Sequence, residues 1–209
     1  MRSVYITAPM LAPRYNIAPT QEILTVRSAS DGGRYASLMK WGFVPHWAKD
    51  ASIGSRMINA RSETVHEKPA FRQAIKTRRC IVPASGFYEW STGEHGKIPH
   101  YITMRDDSPL PFAGIWKSWK DLDGQAVETC AILTTSANSL MAPIHDRMPV
   151  ILHPAEFDLW LDRTVNDPTE LKRLFQPYPS ELMQEWTVST LVNSPRNEDS
   201  VCITNMNLL

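Results

Sequence analysis

Glu89 stands between Tyr88 and Trp90, and His145 stands between Pro143-Ile144 and Asp146-Arg147. Each sets an ionisable group in an apolar or aromatic run, where burial shifts a pKa and a charge is costly unless it is used. On a strand, Glu89 faces away from both aromatic neighbours. It is then either an outward carboxylate on a half-buried strand or a general acid or base in a pocket, with a raised pKa. His145 is either a loop histidine held by Asp146 or a proton shuttle, with Arg147 offering its fork to a phosphate. Asn59 and Arg61 are two apart, so an extended segment puts both on one face, where amide and guanidinium suit phosphate or other polar oxygens. In Trp41-Gly42-Phe43-Val44-Pro45-His46-Trp47, Trp41 reads as core. Trp47 is core or a stacking platform for a base, a contact worth ~1–3 kcal/mol.

Two other chemistries are weaker. Cys80, between Arg79 and Ile81, reads as a buried strand residue, against a thiol hydrolase built from Cys80, His145 and Glu89. His66-Glu67 begins like a zinc-protease helix, but the ligand position four residues on is Ala70. Lys68, Arg56 and Arg72 read as solvated surface charges.

The elements that must position these residues are short. Glu22–Arg27 and Arg34–Lys40 flank Asp31-Gly32-Gly33 as a hairpin, and Asp123-Gly124 joins Trp116–Lys120 to Ala126–Thr134 as another. Further strands are expected at Ile81–Trp90, Pro99–Met104, Pro111–Ser118, Met148–Leu152 and Thr187–Leu191. Helices are expected from about Lys68 to Ile75, after a Thr64–Glu67 capping box, at Pro154–Leu161, and from Asp167-Pro168 to Phe175. With 16 prolines, long regular elements are disfavoured. The expected fold is α+β, mostly antiparallel sheets curled into a barrel-like core with a few peripheral helices, in a single domain over 1–209. Equal counts of 22 basic and 22 acidic side chains leave no global field for nucleic acid, so any such site is a local patch. The three cysteines, far apart in apolar surroundings, argue for reduced thiols, and the chain has no long apolar run and no signal peptide. A cytoplasmic protein without a membrane contact is the resulting expectation.

The chain resembles the SOS-response-associated peptidase family nearly end to end. The resemblance rests on Tyr15-Asn16-Ile17-Ala18-Pro19-Thr20, Trp41–Pro45, Asn59-Ala60-Arg61-Ser62-Glu63-Thr64, Arg79–Trp90, Ala113-Gly114-Ile115-Trp116, Thr134–Asn138, Ile144–Val150 and Val192-Asn193. It implies recognition of abasic sites in single-stranded DNA and crosslinking through an N-terminal cysteine. There the amine forms a Schiff base with the opened sugar and the thiol closes a thiazolidine. By analogy, Asn59 positions the N-terminal group, Glu89 assists sugar opening and proton transfer, and His145 serves Schiff-base proton transfers and reversal. Arg61 and Arg147 match arginines of the DNA-binding face, and self-cleavage of residues preceding the cysteine is expected in the same pocket. No cofactor is expected, since the Schiff base and thiazolidine need only amine, thiol and acid–base groups, and no obligate protein partner is readable from the sequence. A monomer, nucleoid-associated when on DNA, is expected.

One departure bears on the nucleophile. Family members begin Met-Cys-Gly-Arg, whereas this sequence begins Met1-Arg2-Ser3-Val4-Tyr5 and has no cysteine before Cys80. Three readings stay open: a native start outside this sequence, a degenerate member that binds DNA without crosslinking, or the Met1 amine as nucleophile. An amine without a neighbouring thiol forms an imine but closes no thiazolidine, so the third reading predicts a lyase.

Overall fold

The computed structural model describes residues 4–6, 12–29, 31–121 and 123–208. In chain order its strands are β1 (Val4–Ile6), β2 (Glu22–Ser28), β3 (Arg34–Trp41), β4 (Asn59–Arg61), β5 (Arg79–Ala84), β6 (Phe87–Gly93), β7 (Gly96–Met104), β8 (Leu110–Lys120), β9 (Ala126–Ser136), β10 (Arg147–Pro149) and β11 (Met183–Thr187). The helices are short: α1 (Ala74–Thr77), α2 (Phe157–Leu161) and α3 (Pro168–Lys172). The expected α+β, barrel-cored fold is what forms.

Five strands close the barrel in the order β3-β2-β5-β8-β9, and the ring is shut by a parallel contact of β3 with β9 at Lys40↔Thr129 and Trp41↔Cys130. Both predicted hairpins are present, β2–β3 and β8–β9. Alternation along the strands then sorts the side chains into two cores. Ile23, Met39, Cys80, Val82, Phe112, Cys130 and Ile132 fill the interior. Ile81, Ala113, Ile115, Ala131 and Leu133 face outward and are covered by Ile75, Trp160, Leu171 and Phe175 from the helical segments. One end of the interior is plugged by Arg27. Its guanidinium pairs twice with Glu128 at 2.7 and 2.8 Å and lies over the Trp116 ring, 4.2 Å from its centroid. Outside, the buried Arg79 caps carbonyls that the helix ends leave open, bonding Ile75 O and Lys76 O within α1 and Trp160 O and Asp162 O at the end of α2. Its guanidinium therefore works as a brace between α1, α2 and β5.

The second sheet has the order β11-β7-β6. Its ladder sorts residues in the same way. Phe87, Ile102, Met104 and Met183 face the barrel cluster, with Glu89, His100 and Glu185 continuing that face. Tyr88, Trp90, Tyr101 and Trp186 face the other side, under Val188, Val192 and Ile203. The chain passes from barrel to second sheet at Ser85-Gly86, so the expected strand Ile81–Trp90 is in fact two strands in two sheets. Gly86 makes the crossing possible: a Cβ there would stand 2.2 Å from the Tyr101 ring.

Three other expectations are corrected. The helix expected from Lys68 is a series of turns, and only Ala74–Thr77 is helical. Pro69 has no N–H to extend a helix begun at Thr64, and the residue before it is biased away from helical dihedrals. The strand expected at Thr187–Leu191 ends at Thr187, because the Ser189 side chain accepts the Leu191 N–H and starts a tight turn at Thr190–Asn193. Met148–Leu152 shifts to Arg147–Pro149, with Ile151 reaching β8 as a single bridge to Phe112. The helix at Asp167-Pro168 is as expected, with Asp167 accepting from the Thr169 N–H.

Candidate functional site

The candidate residues gather around the C-terminal half of β9. Thr134 pairs with Arg61 of β4 and with Pro149 of β10, so both short strands flank β9 at the barrel mouth. Ala60 is buried in the outer core while Asn59 and Arg61 are exposed on the opposite face. The shared face expected for Asn59 and Arg61 is thus present. By register Thr134 and Arg147 belong to that same face.

Arg147 is not a free fork. Its Nη1 and Nη2 donate to the two Glu63 oxygens at 2.6 and 2.8 Å, and Nη2 also donates to Thr134 O at 2.7 Å. This contact holds the Glu63 carboxyl below its usual range, with help from Arg61. Glu63 was not singled out by sequence reasoning. The available signal was the alternation Asn59, Arg61, Glu63, which puts an acid beside the two polar residues.

The loop after β9 is set by Asn138, whose side chain accepts the Met141 N–H and donates to Tyr178 O. It delivers His145, whose Nδ1 accepts the Arg147 backbone N–H at 3.0 Å. The Arg147 carbonyl oxygen lies 3.2 Å from the same Nδ1, so this nitrogen has a backbone partner whether it accepts or donates. Asp146 lies 3.3 Å from the same Nδ1, so a protonated ring has a carboxylate to turn to.

Glu89 faces away from Tyr88 and Trp90, as the alternation requires, and directly opposite His100 on β7. Burial raises its pKa, and Asp146 adds to the rise. The His145 ring and the Trp90 backbone N–H oppose it. The structure therefore brings Glu89 within electrostatic reach of His145 and Asp146, although the two stretches are more than fifty residues apart. Behind Glu89 the sheet is pinned by Tyr88 OH to Tyr15 O at 2.6 Å and Trp90 Nε1 to Asn193 Oδ1 at 2.8 Å. Asn16 adds bonds to Val192 O, Ser194 O and Asn197 O, each at 3.0 Å. Motifs at both ends of the sequence thus hold one strand in place.

Trp47 is 54% exposed, on the loop after β3, while Trp41 is partly buried against the barrel interior. Cys80 has no exposed surface, and burial drives its thiol well above the usual range, the setting of an inert thiol. Met1 lies outside the described residues. Among the described residues no cluster of His, Cys, Asp and Glu is arranged to hold a metal ion. No helix among them is long and apolar enough to cross a membrane. A separate apolar groove of about 620 Å³ lies between Val26, Ile81, Pro111, Leu152, Phe157 and Leu182, and none of the candidate residues lines it.

Comparison with known proteins follows the same outline. The profile of the SOS response associated peptidase (SRAP) family matches residues 3–195. The abasic site processing protein YoqW of Bacillus subtilis is 46% identical over 186 residues, covering 88% of this chain and 83% of that protein. The abasic site processing protein HMCES of Gallus gallus is 32% identical over 222 residues, covering 91% of this chain and 66% of that protein. A solved protein from Bacteroides thetaiotaomicron shares the fold with a TM-score of 0.79 at 33% identity, covering 89% of this chain and 82% of that one. A phage-related protein from Bordetella bronchiseptica does so at 0.69 and 31%, covering 88% and 86%.

Proposed function

The chain belongs to the SOS response associated peptidase family, and from that premise we propose that it recognises abasic sites in single-stranded DNA and processes them at the Glu89–His145 face. The observation that carries the reading is Glu89 itself: a carboxyl whose pKa burial raises, on a sheet face turned toward His145. An abasic sugar must open to its aldehyde before an amine can add, and both ring opening and loss of water from the adduct need a proton donor. Glu89 supplies that proton. His145 moves protons at the Schiff base and serves its reversal. Asn59 positions the attacking amine, and Arg61, Arg147 and Trp47 hold phosphates and a neighbouring base. The nucleophile is the N-terminal amine, with a thiazolidine if the native start carries cysteine and an imine alone if it is Met1. Self-processing of residues before the nucleophile uses the same groups. On this reading the chain acts as a single domain and a monomer in the cytoplasm, at the nucleoid when on DNA.

The test is to incubate the protein with abasic and intact single-stranded oligonucleotides and run denaturing gels with and without borohydride. A heat-stable adduct on abasic DNA alone is the thiazolidine outcome, and a borohydride-dependent band is the imine outcome. No band in either gel, with equal binding to both oligonucleotides, reduces the chain to a passive single-strand binder.

Glu63 sets how Arg147 meets that DNA. With both terminal nitrogens on Glu63, the guanidinium reaches a phosphate only by giving up a carboxylate. Glu63→Gln is expected to tighten single-strand binding at low salt. It should also steepen the plot of log K against log salt by about 0.7, the value for one added phosphate contact. An unchanged slope would take Arg147 off the DNA.

A further inference from the structure

A line of polar side chains on the second sheet is left unused by the abasic-site reading. Ser91 Oγ on β6 lies 2.9 Å from His100 Nε2 on β7, and His100 Nδ1 lies 2.8 Å from Glu185 Oε2 on β11. An ionised carboxylate only accepts, so Nδ1 carries the ring proton and Nε2 is left to receive the Ser91 hydroxyl proton. That is the order and the tautomer by which an acid–imidazole pair activates a serine nucleophile. The His100 side chain is 13% exposed and Glu185 30%, so most of the line is shielded, while Ser91 is half-buried beside the strand edge.

The edge supplies a further part. Among the described residues, β6 is the outer strand of its sheet. Trp90 stands opposite Pro99, which has no N–H, and Pro99 O accepts from Val188 on the far side. Trp90↔Pro99 is therefore a non-hydrogen-bonded pair of the ladder, and the N–H groups of Trp90 and Thr92 point off the free edge. The Thr92 N–H, on the residue following Ser91, is placed to donate to an oxyanion forming beside Ser91 Oγ.

We propose that Ser91, His100 and Glu185 form a second site, a serine nucleophile that hydrolyses small carboxylic esters at the free edge of β6. Ser91 Oγ adds to the ester carbonyl carbon as its proton passes to His100 Nε2, and the oxyanion accepts from the Thr92 N–H. The carbon–oxygen bond to the alcohol then breaks, and His100 returns the proton to the departing alkoxide. Water, deprotonated by His100 in its turn, adds to the acyl-serine. Collapse releases the carboxylic acid and restores the Ser91 hydroxyl. Glu185 holds the ring and stabilises its charged form throughout.

The experiment treats the full-length protein with a fluorophosphonate probe and locates the label by peptide mass, alongside p-nitrophenyl acetate turnover. Labelling at Ser91 is expected, with ester turnover reduced at least about tenfold by Ser91→Ala and by His100→Gln. Thermal unfolding of each variant checks that it is folded. Labelling of the unaltered protein decides the matter whatever the variants do. No label, or a label on another residue that persists in Ser91→Ala, overturns the proposal and leaves the line as a brace across three strands.

Discussion

Glu89→Gln is expected to lower adduct formation on abasic single strands by roughly 10²–10⁴-fold, the range for losing a positioned general acid or base. An amide of nearly the same shape keeps the strand pairing with His100 but has no proton to give. Binding of intact single strands should persist, because the substitution removes a potential negative charge and no phosphate contact. Stability should move the other way. Burial raises the Glu89 pKa in the folded chain, so between the ordinary glutamate value and the raised folded one the folded state binds more protons than the unfolded state. The native protein therefore loses stability as pH rises through that window, and at lower pH, where both states are protonated, the difference vanishes. Glu89→Gln is thus expected to raise Tm by on the order of a few degrees at pH 7 and to leave it unchanged near pH 3. A variant that is inactive and also less stable at pH 7 would count against a desolvated acid and for a structural carboxylate.

Gly86→Ala is expected to destabilise the protein by about 3 kcal/mol, the upper part of the range for overpacking. For a chain of this length that is a fall in Tm of roughly 6–12 °C. The added methyl would stand 2.2 Å from Tyr101 Cζ and 2.4 Å from its hydroxyl. The ring cannot swing clear, being 5.2 Å from the Tyr88 ring and 5.4 Å from the Trp186 ring, centroid to centroid. Either the aromatic stack or the path of β6 must shift, and Glu89 is carried by β6. Thermal unfolding of the single variant and of Gly86→Ala with Tyr101→Val measures the coupling. Partial recovery in the pair is the expected result, and simple additivity would show that the clash is relieved elsewhere.

What the sequence made legible was local. Asp31-Gly32-Gly33 and Asp123-Gly124 announced the hairpins, and Asp167-Pro168 announced a helix start, because each encodes backbone geometry within a few residues. The alternation around Glu89 and through Asn59-Ala60-Arg61 told which side chains share a face. The break at Ser85-Gly86 was overlooked: the Ser-Gly pair is a turn signal, though the ring it avoids lies fifteen residues away. The partners of the ionisable groups were hidden by distance along the chain. Arg147 was expected to offer its fork to phosphate, yet a carboxylate 84 positions away occupies it. Glu185 meets His100 across 85 positions, and no short pattern specifies which acid meets which base.

The barrel is shut by two residue pairs, Lys40↔Thr129 and Trp41↔Cys130, whose strands are far apart in the sequence. The hairpins β2–β3, β6–β7 and β8–β9 can each form from neighbouring residues, whereas this seam must repay a long loop with little contact of its own. Closure is therefore expected late in folding, and the seam is expected to open early under native conditions. Gly42, whose N–H donates to Cys130 O at 2.8 Å, reports on it directly, and its amide should exchange with solvent well before those of β8 and the middle of β9. β4 joins β9 just beyond that seam, so Asn59 and Arg61 take their places only once the ring is closed. The residues proposed to meet DNA are thus expected on a late-assembling part of the molecule, which would leave partly folded copies unable to bind a lesion.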